Sequence, residues 1–142
     1  MPKRTKSEGT SPNPLFVYHP PTEEQVPKYQ KLNLAFGAVM SSGREIIRNR
    51  PKERAEQERF DGFSKTCEAY HDLIVELCPE SADRTAAIRC LRLARNAIND
   101  ILCGTERDFP HGLSQHPFSL VFETELVKCR YQANASIALE GK

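Results

Sequence analysis

Between residues 82 and 103 apolar side chains recur at steps of three and four, and no other feature of the chain narrows its fold as much. At about 100° per residue, Ala86, Ala87, Cys90, Leu91, Leu93, Ala94, Ala97, Ile98, Ile101 and Leu102 fill roughly half of a helix circumference. A single helical partner needs a narrower stripe, so this helix must touch two or more others, from its own chain or from another copy. Its ends are marked too. Ser81 is a good N-cap, Asp83 sits where a helix N-terminus favours negative charge, and Gly104 is a natural terminator.

The same period recurs on both sides of this segment. Val26, Tyr29, Leu32, Phe36, Val39, Met40, Ile46 and Ile47 form one stripe, with Thr22 and Gln25 placed as a capping box before it. Gly37 and Gly43 weaken its middle and predict a bend there. After the interruption at Asn49-Arg50-Pro51, the residues from Lys52 to Cys78 resume the period with Phe60, Phe63, Cys67, Tyr70, Ile74 and Leu77. Residues 105–117 read as a loop containing Pro110, Gly112 and Pro117. The last segment, Phe118 to Leu139, reads as a helix capped by Ser119, and Leu126, Val127, Tyr131, Ala135 and Ile137 suit a helix. Phe118 to Phe122 alone also fits a short strand, but Glu123 to Leu139 lacks breakers. Residues 1–14 are polar and rich in Pro, Gly and Ser, too poor in apolar surface to offset their ordering entropy. The expected fold is therefore all-α. It is an antiparallel helical hairpin or bundle in a single domain over 15–142, with a disordered tail at 1–14, assembling as a homo-oligomer.

Charge excludes one class of partner. Twenty basic against 19 acidic residues leave a net +1, which argues against a general nucleic-acid coat. No apolar run approaches the ~18 residues of a membrane helix, and none follows Lys3, Arg4 and Lys6 as in a secretory signal. Cys67, Cys78, Cys90, Cys103 and Cys129 are odd in number, widely spaced and without a C-x-x-C pair, so they read as reduced thiols of a cytosolic protein. His19, His71, His111 and His116 show no metal spacing. No phosphate-binding glycine loop, zinc-binding histidine motif or serine nucleophile elbow occurs, and Asp61, His71 and Asp72 read as helix surface. The expectation is a protein with no cofactor and no catalysis.

One side of the 82–103 helix concentrates Arg84, Arg89, Arg92 and Arg95, poorly balanced by acids on the same helix. Two readings stand open. The arginines are a solvated face paired with glutamates of a neighbouring helix, such as Glu53, Glu56, Glu58 and Glu76. Alternatively, their forked donors recognise phosphate, helped at Arg84 and Thr85 by the free N–H groups of the helix start.

Three stretches carry a resemblance. Leu15-Phe16-Val17-Tyr18-His19-Pro20-Pro21-Thr22, with Gln25 and Tyr29 beyond it, resembles the opening of the small phage proteins that block CBASS and Thoeris immunity. The run from Cys78 through Ser81, Arg84, Thr85, Arg89 and Arg92 is similar to their hairpin turn and second helix, and Ala133-Asn134 to Gly141 to their C-terminal end. The resemblance implies a helical homo-oligomer in the host cytoplasm. It would bind a cyclic di- or trinucleotide, or a cyclic ADP-ribose type of signal, and withhold it without degrading it. It implies that Tyr18 stacks on a base, with His19 beside it, and that Arg84, Thr85 and Arg89 meet phosphates. An ordinary aromatic anchor is the competing reading of Tyr18.

The chain departs from that pattern by extra residues near 44–65 and 96–125, and by Asn33 and Gly37 where relatives of this type carry basic residues. The asparagine of the C-terminal motif corresponds either to Asn134 or to Asn99. A second functional class stays open beside the first: a helical module that binds a host protein through wide apolar faces.

Overall fold

The computed structural model describes residues 20–48, 55–102 and 117–140. They form four helices: α1 (Gln25–Arg48), α2 (Ala55–Leu77), α3 (Ala82–Leu102) and α4 (Pro117–Glu140). No strand occurs among the described residues, so the all-α expectation holds. The expected tail at 1–14 and most of the expected loop at 105–117 lie outside them.

The starts of α1 and α3 show the sequence signals at work. Thr22 N–H donates to Gln25 Oε1 (3.0 Å) and Gln25 N–H donates to Thr22 Oγ1 (3.2 Å), a reciprocal capping box. Ser81 Oγ accepts from Arg84 N–H at 3.1 Å and stops the first turn of α3 from fraying. Ser119, the expected cap of the last helix, does no such thing. α4 already begins at Pro117, where a missing N–H costs nothing, and Ser119 is buried with its hydroxyl unpartnered. The 118–122 stretch is the first turn of that helix and not a strand.

Cross-helix contacts give the directions. Gln25 Nε2 donates to Ile137 O (2.9 Å), and Arg44 pairs with Glu123, so α1 and α4 run antiparallel. Ser42 meets Thr66 while Phe36 meets Tyr70, which reverses α2 against α1. Ser136 Oγ donates to Pro79 O (3.1 Å) at the turn before α3, and α3 lies along α4 more extensively than any other pair. Neighbouring helices thus alternate in direction. One end of the bundle gathers residues 20–29, 79–85 and 133–137. At the other end Arg44 meets Glu123, Phe63 meets Phe122 and Arg95 meets Phe60.

The wide stripe of α3 is absorbed inside one chain. Ala87, Leu91, Ala94, Ala97, Ile98 and Ile101 are buried against α4, α2 and α1, while Leu93 stays 44% exposed. The core is completed by Phe63, Tyr70 and Ile74 of α2, and by Phe122, Leu126 and Cys129 of α4. Each fully buried large side chain contributes about 1.5–3 kcal/mol.

The expected stripe of α1 shifts at its start: Val26 is exposed, and Gln25 turns inward in its place. On α4, Val127 and Tyr131 are 53% and 70% exposed, while Phe122, Cys129, Ala133 and Ser136 are buried. α4 carries apolar residues around its whole circumference, so periodicity alone could not choose its inner face. α1 runs unbroken through Gly37 and Gly43. Gly43 serves close packing, because a β-carbon there would sit within 2.8 Å of Phe122 ring atoms.

Candidate functional site

Of the residues expected to bind a ligand, Arg84, Thr85 and Arg89 are described, and all three lie in the first turns of α3. Ser81 Oγ and Ser136 Oγ are 3.0 Å apart and tie the turn before α3 to the last turns of α4. Thr85 is exposed, but its hydroxyl donates to Ser81 O at 3.2 Å and reinforces the first turn. Arg84 is half-buried and Arg89 is exposed. Thr85 and Arg89 are four positions apart on one face. Arg84, five positions before Arg89, points about 140° away from it. The structure therefore groups Thr85 with Arg89 and sets Arg84 on a separate flank of the same helix start. Tyr18 and His19 lie outside the described residues. Nearby, Tyr29 donates its hydroxyl to Asn134 O (3.5 Å), and Asn134 Oδ1 is buried without a partner.

The arginine face divides in two. Among the described residues, Arg84, Arg89 and Arg92 form no ion pair, and the expected partners Glu58 and Glu76 stand exposed. Arg95 turns toward α2. Its guanidinium carbon lies 5.3 Å from the centre of the Phe60 ring, and Nε donates to Ser64 Oγ at 3.4 Å. Between α2 and α3 runs a groove of about 310 Å³, with Arg92 and Arg95 on one wall and Ser64, Glu68 and His71 on the other. The expected binding set missed this groove. Its signal was the spacing of Ser64, Glu68 and His71 on one face of α2, which acquires meaning only once α2 is known to lie antiparallel to α3.

Three of the described thiols are held in the neutral, weakly nucleophilic form. Burial pushes the Cys67 thiol up to about 12, with the positive Arg95 opposing the shift. Burial likewise raises the Cys129 thiol to about 12, against the opposing pull of the Tyr70 hydroxyl. Tyr70 is wholly buried, and desolvation followed by the neighbouring Cys129 thiol holds it far above its ordinary range. Cys90 is also raised, by burial and then by Glu125. Cys67, Cys78, Cys90 and Cys129 form no disulfide, and Cys103 lies outside the described residues. No group of three or more His, Cys, Asp or Glu among the described residues could hold a metal ion. No described helix is long and apolar enough to cross a membrane.

His71 Nδ1 lies 3.2 Å from Asp72 Oδ1, an exposed pair between neighbours in sequence. Asp61 is also exposed, at some distance along the same helix. Comparison with protein-family models, with curated proteins and with solved structures finds no match.

Proposed function

We propose that the protein binds a cyclic nucleotide signal of bacterial antiphage defence, a cyclic di- or trinucleotide or a cyclic ADP-ribose type, and sequesters it without turnover. The supporting observation is the start of α3: Ser81 caps it, Ser136 ties the turn before it to α4, and Arg84 and Thr85 stand in its first turn with Arg89 one turn further on. On this reading Tyr18 and His19, which precede α1 in the sequence, complete the site. Arg84 and Arg89 form no ion pair with a described carboxylate, and their forked donors suit phosphate. Stacking on Tyr18 would contribute about 1–3 kcal/mol per base. A sponge needs tight binding only and no turnover. As part of this reading the chain self-associates and works in the cytoplasm of the host cell.

Isothermal titration with a panel of these cyclic nucleotides tests the proposal. Heat with one of them, lost in Tyr18→Ala and weakened in Arg84→Ala, supports it, as does recovery of chemically unchanged ligand. Absence of heat across the panel, with no nucleotide absorbance near 260 nm released on heating, ends it.

A second reading rests on a different observation. The outward face of α4 presents Leu120, Val127 and Tyr131, exposed by 54%, 53% and 70%, a row spaced for a partner helix. On this reading the chain is a module that binds a host protein. Capture of a host protein that Val127→Asp abolishes, with no nucleotide bound, would favour it.

A further inference from the structure

We infer that the groove between α2 and α3 is a binding site for a small monoanion with an apolar body, of the carboxylate or phosphodiester class. This site is separate from the bundle end and does not depend on the nucleotide reading. The groove encloses about 310 Å³, at the small end of the range for drug-sized ligands.

The lining sorts by chemistry. Ile88, Leu91 and Cys67 give an apolar floor, and Cys67 is kept neutral because burial holds its thiol pKa near 12. Arg92 and Arg95 stand one helical turn apart on the α3 wall. Arg95 is already oriented by the Phe60 ring and by Ser64 Oγ, so little ordering entropy is lost when an oxyanion meets it. Arg92 is exposed and has no ion pair among the described residues. A guanidinium beside a groove without its own carboxylate invites one from outside.

The opposite wall decides the charge of the guest. Glu68 lies on it and makes no ion pair with either arginine. Two guanidiniums and one carboxylate leave the fixed charges of the walls at net +1. A monoanion neutralises that charge, whereas a dianion such as a phosphomonoester is left in excess beside Glu68. A neutral molecule of the same shape forgoes the charge-assisted hydrogen bonds, which are about twice as strong as neutral ones.

The test is a ¹H–¹⁵N titration of the full chain with benzoate, phenyl phosphate and benzamide in parallel. The expected result is that benzoate shifts the amides of Ser64, His71, Leu91 and Arg92, and that benzamide binds at least tenfold more weakly. Phenyl phosphate, studied at a pH where it is a dianion, should bind more weakly than benzoate. Arg92→Ala should weaken benzoate by about tenfold with an otherwise unchanged spectrum. Lys65→Ala, an exposed cation on α2 outside the groove, should leave it unchanged. Glu68→Gln should tighten benzoate and reduce the handicap of phenyl phosphate. Shifts scattered over the surface, equal binding of benzamide, or equal losses in Lys65→Ala and Arg92→Ala would overturn the assignment. Weaker benzoate binding in Glu68→Gln would overturn the monoanion preference.

Discussion

Gly43→Ala should destabilise the protein, although alanine is the better helix former. In an exposed helix the exchange gains about 1 kcal/mol, chiefly by lowering backbone freedom in the unfolded chain. At Gly43 the new methyl would meet Phe122. Two ring carbons, Cε2 and Cε1, would be 2.7 and 2.8 Å away, with Cζ closer still. Phe122 cannot swing aside freely, because it is wholly buried and its ring packs edge-on against Phe63 at 5.9 Å between centroids. Overpacking costs about 1–3 kcal/mol, and three ring carbons inside van der Waals distance put this site at the upper end, so the net change should be a loss of about 1–2 kcal/mol. Gly37 and Gly62 are the internal controls, since a β-carbon at either meets nothing within 4 Å. Gly37→Ala and Gly62→Ala should each stabilise by about 0.5–1 kcal/mol. Urea unfolding followed by circular dichroism would order the variants by midpoint, with m unchanged. In the Gly43→Ala background, Phe122→Leu should cost less than it does alone, giving a coupling energy above about 0.5 kcal/mol. A Gly43→Ala variant as stable as the parent would refute the close-packing account of α1 against α4.

Other perturbations separate the remaining forces. Ser136→Ala removes the donor to Pro79 O and the partner of Ser81 Oγ, and should cost about 1–2 kcal/mol by thermal unfolding. Combined with Ser81→Ala, which removes the α3 cap, the loss should fall short of the sum, because the two share one hydrogen bond. Arg44 and Glu123 form a two-pronged pair at 3.1 and 3.2 Å, but both side chains are near half exposed. Arg44→Ala should therefore cost no more than about 0.5 kcal/mol, and less still in 1 M salt. The buried thiols predict an alkaline limit. Cys67 and Cys129 stay protonated to about 12 when folded but titrate near 9.0 when unfolded, so the unfolded state sheds protons first and stability falls between those values. At pH 10 each thiol should remove about 1.4 kcal/mol relative to pH 7. A Cys67→Ala/Cys129→Ala variant with the same slope of stability against pH from 8 to 11 would show the thiols are not its source.

Where the sequence spoke clearly, one physical signal sufficed. The capping groups of α1 and α3 were readable because a side-chain oxygen three residues before an orphan N–H has one obvious use. The inner face of α3 was readable because its arginines and its aliphatic residues occupy opposite halves. α4 shows where such reading stops. With Leu120, Val121, Val127 and Tyr131 outside and Phe122, Leu126 and Cys129 inside, only the positions of α1 and α3 decide which side is buried. Ser119 illustrates the same limit, because a serine two residues into a helix resembles a serine at its edge. The groove was less legible still, since Ser64, Glu68 and His71 become neighbours of Arg92 and Arg95 only through the register of α2 on α3.

That register bears on what the arginines are for. A cation that stabilises a fold normally has a carboxylate or a carbonyl to meet, as Arg44 has in Glu123. Arg84, Arg89 and Arg92 have none among the described residues, and Arg95 meets a ring and a hydroxyl instead of an anion. Four cations along one helix repel one another and are not offset by acids on the helix itself beyond Asp83 and Asp100. Neutralising Arg84, Arg89 or Arg92 should then leave stability unchanged or slightly raised, within about 0.5 kcal/mol. The two proposed sites divide these residues cleanly, Arg84 and Arg89 at the bundle end and Arg92 in the groove. Arg84→Ala and Arg92→Ala should therefore each weaken one binding event and spare the other, with thermal unfolding unmoved in both. A loss of stability in either would make that arginine a structural group, and its binding role would fall with it.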